Sequence, residues 1–353
     1  MNLPHSGILP VSKLAASFGN TSATYKFYWL LALLELVEEG ELTIRKRHLF
    51  SRMIGNAWYT VHYFHVSFGK QDLIQQAVQS IMEQERLTID IKKGLLLSIL
   101  ENSELKTTQQ TLYHFNKNVP HWFLSPWFPK VVGENDVTYR KRIYSSSQVF
   151  ENNCLYALYD EHIVINPNWV AYLKANAKIL KNFIYWNLTL FLQTRNPNVP
   201  DIANKLIRPP FRGSLANQRK NYWDIVFKEL GTVDCIFTRS SLTVNNYALD
   251  HFVPHAFVSH DLIWNLAPID ISFNSTKSDK LPNMETHFDD FFNLQKTAFE
   301  IINNHSPKCK LLEEYLTIYP DLNAAQHFEY IKFKENIQPL VSIAHNNGFA
   351  YLT

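Results

Sequence analysis

The chain holds only 10 glycines in 353 residues, and that scarcity constrains its fold more than any other property. Tight hairpin turns draw on glycine for positive φ, so a chain this poor in glycine cannot close many of them. Helices make no such demand. With 46% hydrophobic residues and 14% aromatic ones, the chain carries ample material for ordered cores rather than disorder. Its length exceeds one small core and predicts two or three domains.

Apolar periodicity predicts helices over 23–39, 44–66, 71–84 and 88–102, the first opened by Ser22 and stopped by Gly40. The apolar run Phe27 to Leu34 lies between Lys26 and Glu35. It is too short to span a bilayer and reads as a buried helix. From 105 to 150, Pro120, Pro126 and Pro129 interrupt an aromatic stretch of Trp122, Phe123, Trp127 and Phe128, which excludes a regular helix there. That stretch reads as a plug between domains, with base stacking as the alternative. Arg140-Lys141-Arg142 is expected in a strand or loop. His162 to Ile165 has strand character, and Asn166-Pro167 turns into a long helix ending near Gln193. After the breaks at Pro197, Pro200 and Pro209-Pro210, a helix is expected over 215–230, and others over 286–303, 309–318 and 323–345.

Chemistry concentrates between these last helices. Leu249-Asp250-His251-Phe252-Val253-Pro254 is followed by Trp264-Asn265-Leu266, then by Asn274-Ser-Thr-Lys277-Ser-Asp279-Lys280-Leu-Pro282. Segments 234–238 and 247–250 have strand composition, 264–269 is a third apolar segment, and 274–281 reads as a short helix stopped by Pro282. Histidine titrates near neutral pH and suits a general base. A carboxylate and an amide oxygen suit a hard cation that keeps several waters. Neighbouring strand residues point to opposite faces, so Asp250 and His251 serve one site only if the strand end bends.

This run resembles the HNH endonuclease family, and is similar to the HNH domains of RNA-guided CRISPR nucleases and bacterial defence nucleases. The resemblance covers roughly 233–285 and implies a ββα-metal finger. It implies Asp250 and Asn274 as metal ligands for Mg²⁺ (or Mn²⁺), and His251 as the base. It further implies Asn265 as the residue that ties the loop and orients the histidine, and Lys277 as a phosphate contact, with Asp279 and Lys280 in support. Many family members carry CxxC pairs for zinc. Here Asp270, Ser272 and Phe273 precede Asn274, so no structural zinc is expected.

The expected fold is mainly α with a small α+β segment. Its divisions are 1–104, a helical domain for target or partner recognition; 105–232, mixed and mostly helical; 233–285, the finger; and 286–353, helices packed on the finger. Cys154, Cys235 and Cys309 show no CxxC spacing, which fits a reducing cytoplasm rather than a disulfide framework. No charged segment followed by an apolar run opens the sequence, and no membrane partner is expected.

The net charge of +2 gives no global field for nucleic acid. DNA binding would then rest on local clusters: Arg45, Lys46 and Arg47; Arg140, Lys141 and Arg142 beside Lys130; and Arg208, Arg212, Arg219 and Lys220. Each cluster is otherwise a solvated helix face. His255 and His260 read as structural or exposed, Asp261 as a helix cap, and His62 with His65 as core or surface residues rather than a metal pair.

The resemblance implies Mg²⁺-dependent DNA hydrolysis leaving 5′-phosphate and 3′-hydroxyl ends, in bacterial restriction or anti-phage defence. One finger implies a nick, with a homodimer or two nicks for a double-strand cut, and a sensor or ATPase as partner. The competing readings are a non-catalytic nucleic-acid-binding adaptor that keeps the finger as scaffold, and a nuclease directed at RNA.

Overall fold

The computed structural model describes residues 3–19, 21–206, 213–320 and 328–353. It is mainly helical with small sheets of two or three strands. The chain divides into two compact units, Met1–Pro197 with Ile202–Arg208, and Asn198–Asp201 with Pro209–Thr353. Among the described residues no helix is long and apolar enough to cross a membrane.

In the first unit, helix α1 (Tyr25–Glu38) is apolar on nearly every face and is buried from Phe27 to Leu34, as a helix at the centre of a core must be. Its start is set by Asp72, whose carboxylate accepts from the Thr24 N–H at 2.6 Å. Its end is set by Gly40 at φ +95°. Strand β1 (Thr43–Arg45) runs into α2 (Lys46–His62), followed by α3 (Leu73–Gln84), α4 (Lys93–Asn102), α5 (Lys106–Tyr113) and α6 (Asp136–Ser147). Strands β2 (Tyr156–Leu158) and β3 (His162–Ile165) precede the long α7 (Pro167–Gln193), capped by the Asn166 side chain.

The sheet order is β1-β3-β2, antiparallel, with Ile44 opposite Ile163. This pairing ties residues near 44 to residues near 163, and α5 packs on α2 and α3. The boundary expected at 104 therefore falls inside one core.

Two local expectations change here. Arg140, Lys141 and Arg142 lie on helix α6, because Asn135 caps it by accepting from the Thr138 N–H. The Trp122–Phe128 stretch begins with a short helix, Val119–Phe123, that tolerates Pro120 in its first turn. Phe123, Trp127 and Phe128 are buried. Trp127 meets Trp169 and donates its Nε1–H to the Asn153 carbonyl, so these rings fill the first unit's own core.

The second unit is built round a long amphipathic helix. In chain order it contains α8 (Asp224–Leu230), the short pair β4 (Val233–Asp234) and β5 (Ser241–Leu242), and the hairpin β6 (Ala248–His251) and β7 (Leu266–Ile269). Then come α9 (Ile271–Lys277), α10 (Met284–His305) and α11 (Tyr330–Asn346). Of the expected 234–238 strand only Asp234 is paired, in β4 beside Val233. Helix α10 buries Phe288, Phe291, Phe292, Phe299 and Ile302 and packs on β7, α8 and α11. Phe291 stacks on Phe252 with centroids 3.9 Å apart, which anchors the chain as it leaves β6. Arg208, Arg212 and the Pro209-Pro210 joint lie outside the described residues.

Candidate active site at the end of strand β6

Strand β6 pairs antiparallel with β7, with Asp250 opposite Ala267 and His251 opposite Leu266. Helix α9 follows and packs on β6, which completes a ββα unit. Asp270 caps α9 by accepting from the Ser272 and Phe273 N–H groups. The helix therefore starts earlier than expected, at Ile271, and Asn274 sits in its middle. It ends at Lys277, before Ser278 at φ +47°.

The loop from 252 to 265 is closed by three bonds. The Phe252 N–H donates to the Asn265 carbonyl at 2.7 Å. The Val253 N–H donates to Asn265 Oδ1, and Asn265 Nδ2 donates back to the Val253 carbonyl, both at 2.8 Å. Asn265 is fully buried, so its amide satisfies loop backbone that water cannot reach. These bonds tie the loop. From below, Gln295 Nε2 donates to the Leu266 carbonyl at 2.7 Å, and Tyr315 and Tyr222 continue a buried polar chain behind it.

His251 and Asp250 converge at the strand end, with His251 Nδ1 3.8 Å from Asp250 Oδ1. The other ring nitrogen, Nε2, meets Asp261 Oδ1 at 2.9 Å. His255 adds its Nε2 3.8 Å from the same oxygen, and its ring lies edge-on to His251 at 5.2 Å. Asp261 is thus no helix cap: the short turn that follows begins at Ile263. The contact that orients the histidine comes from Asp261, whereas the Asn265 side chain bonds to Val253. The reading of the residues missed Asp261 because Ser, Asp and Asn before an apolar run usually signal a cap. The one available signal was a carboxylate beside His260, inside the loop that follows a candidate base.

Lys277 Nζ donates to Asp250 Oδ2 at 2.8 Å and to the His251 carbonyl at 2.7 Å. Its side chain is fully buried, and the ammonium lies 5.8 Å from the Phe237 ring centroid. A buried ammonium bonded in this way is not placed to meet a phosphate; it fixes Asp250 instead. Burial of Asp250 works against its ionisation. The neighbouring His251 ring and the Lys277 ammonium outweigh that effect and hold the carboxyl well below the usual carboxylate range.

Asn274 is exposed on α9, with Asp279 and Lys280 half-exposed beyond it. A carboxylate kept ionised and an exposed amide are each oxygen donors of the kind that a hard divalent cation takes, with water completing its shell. Among the described residues no group of three or more His, Cys, Asp or Glu side chains is arranged as a metal site. A cation here would rest on few protein ligands, as Mg²⁺ tolerates.

The other histidines and basic clusters take structural positions to differing degrees. His62 ends α2 and meets the Val78 carbonyl, while His65 lies beyond the helix at φ +50°, so the two do not share a helical face. Lys46 is buried against Asn116 and Tyr144. Arg47 donates to the Leu100 and Ser103 carbonyls at the end of α4, a C-terminal cap rather than a solvent-facing cation. Arg142 pairs with Glu134, Lys130 with Asp136. Arg219 donates to the Tyr247 carbonyl and covers its ring. Arg45, Lys141 and Lys220 remain exposed.

Residues 235–283 match the family model of the HNH endonucleases. The match spans the β6–loop–β7–α9 unit and ends just past Pro282. No curated protein matches the chain, and no solved structure matches it.

Proposed function

We propose that the second unit is a metal-dependent endonuclease that hydrolyses phosphodiester bonds in DNA, with His251 as general base. The observation that carries this reading is the His251 ring seated between two carboxylates, Asp261 at Nε2 and Asp250 on the Nδ1 side. An ionised Asp261 accepts the Nε2–H and so favours the tautomer whose lone pair is on Nδ1. That nitrogen takes the proton of the attacking water on the Asp250 side of the ring. Lys277 holds Asp250 still, and Asn265 holds the loop that brings Asp261 round to the ring. Asp250 and Asn274 would hold the cation, Mg²⁺ or Mn²⁺, which supplies neutralisation of charge on the scissile phosphate. The family resemblance and the scattered free cysteines support a cytoplasmic enzyme of bacterial restriction or anti-phage defence, acting with a second copy or a sensor or ATPase.

The test is nicking of supercoiled plasmid with Mg²⁺, with EDTA, and with His251→Ala. Wild type converts plasmid to open circle, and EDTA abolishes the conversion. His251→Ala slows it by roughly 10²–10⁴-fold, the range of a positioned general base. Equal rates for wild type and His251→Ala defeat the assignment. DNA binding without any cleavage by wild type returns the protein to the adaptor class, and cleavage of RNA alone changes the substrate.

A further inference from the structure

The first unit contains a cavity of about 1100 Å³ bounded by β1, the start of α2, α5, the turn after it and α6. Arg45, Lys46, Lys106, Lys117 and Arg140 line it together with Arg47, and Glu161 is the one carboxylate in its wall. Two basic clusters that are far apart in sequence, at 45–47 and at 140, thus meet in one concavity. Lys141 and Arg142, on the same helix as Arg140, do not line it.

The charge in this cavity is only partly compensated. Lys46 is 1% exposed, and its ammonium bonds at 2.8 Å to two neutral oxygens, Asn116 Oδ1 and the Tyr144 hydroxyl. Among the described residues no ion pair forms at Arg45, Lys46, Lys106, Lys117 or Arg140 (the recorded pairs involve other cations). A buried ammonium without a counterion is costly. Burial pushes the Lys46 pKa down, Arg140 adds repulsion, and Asp160 offsets part of it. Burial also holds the nearby His121 down to about 4, with repulsion from Arg140 and Lys46 adding to it. Such a basin is completed by an anion of several charges. The wall also offers Tyr113, 46% exposed, as an aromatic face for a base. Small-molecule pockets run to roughly 1,000 Å³, so the space suits a nucleotide or the end of a strand.

We propose that this cavity is a second nucleotide site, separate in its residues from the finger, in which Arg45, Lys46, Lys106, Lys117 and Arg140 hold phosphate groups. The site does not depend on the finger's being catalytic. Arginine forks and lysine point charges are the groups that recognise phosphate, and Arg45, Lys106 and Lys117 are exposed at the cavity.

The test measures binding by the full chain in EDTA, where cleavage plays no part. The probes are a 5′-phosphorylated, fluorescein-labelled single-stranded deoxyoligonucleotide, and ATP as competitor or as ligand by calorimetry. Wild type binds at least one probe. The double variant Arg45→Glu, Lys106→Glu weakens that binding by about tenfold or more, as charge reversal at phosphate contacts does. Lys174→Glu, exposed on α7 and outside the cavity, changes it by less than about twofold. Lys117→Glu gives an independent reading should the double variant melt early. ATP binding that displaces the strand identifies a free nucleotide as the occupant, while strand binding indifferent to ATP identifies a strand end. Wild-type affinity in both cavity variants overturns the proposal, as does binding of neither probe by wild type or an equal loss with Lys174→Glu.

Discussion

At the scale of single residues, Lys277 is the position where two functions make opposite demands. A phosphate contact would be exposed, and its loss would weaken substrate binding while leaving stability alone. The observed ammonium is buried on Asp250 Oδ2 and the His251 carbonyl. Lys277→Met therefore strands a mostly buried carboxylate, and denaturant unfolding of the second unit should show a loss of up to roughly 3–5 kcal/mol. Asp250→Asn combined with Lys277→Met should lose less than Lys277→Met alone, because no uncompensated charge remains. The pair has a pH signature. The folded pKa of Asp250 lies below its ordinary value of 3.8, so the pair's contribution is present in full above that value. It falls away as pH drops from there toward the folded pKa. The stability gap between wild type and Asp250→Asn should hold constant from neutral pH to about 5 and then close in acid; a gap that closes near neutrality contradicts this ionisation.

Asp261 is the other residue whose role rests on one contact. If its carboxylate sets the tautomer and angle of His251, Asp261→Asn keeps the shape and loses the charge. Nicking should fall by about 10- to 100-fold, as for other groups that orient a catalytic side chain from behind, with melting temperature little changed. An unaltered nicking rate in Asp261→Asn would assign the contact to loop structure alone.

At the scale of elements, what the sequence made legible divides by range. The long helices were readable because each is governed by its own periodicity and ends: Gly40 stops α1, and Asn166-Pro167 opens α7. In the finger, the first paired strand was readable from the strand composition of 247–250, and the second only as the apolar segment 264–269. Features decided by distant partners were not readable. The 140–142 segment looked like a strand or loop until the Asn135 cap is taken into account, and three-residue β1 exists only because β3 lies beside it. Likewise Lys46 and Lys277 look like surface cations in sequence, and only the fold shows each of them buried. Helix α9 provides an element-scale test. Asp270 caps it and also accepts from the Ser240 hydroxyl across the unit. Asp270→Ala should cost about 1 kcal/mol in unfolding. Because Asn274 rides on that helix, the Mg²⁺ concentration for half-maximal nicking should rise in the same variant; stability loss with an unchanged Mg²⁺ requirement would separate Asn274 from the metal.

At the scale of the whole molecule, the proposed chemistry uses one finger, residues 235–283 by the family match, in a chain of 353 residues. One general base activates water against one strand. A monomer that cuts both strands must release, turn and rebind, or meet a second copy on the opposite strand. These routes differ in their dependence on protein concentration. For a monomer, open circle forms first and linear plasmid appears only after it accumulates, with both rates proportional to enzyme. For a symmetric pair, linear plasmid appears directly, and its initial rate rises with the square of enzyme concentration until the dimer saturates. The chain itself supplies the internal control, because mixing wild type with His251→Ala dilutes active pairs. Linear product then falls with the square of the wild-type fraction, whereas nicking falls only in proportion. We expect open circle to precede linear plasmid at enzyme concentrations too low for pairing, because one finger carries one general base. Direct appearance of linear product at the lowest enzyme concentrations would instead require a second finger to act at the same site.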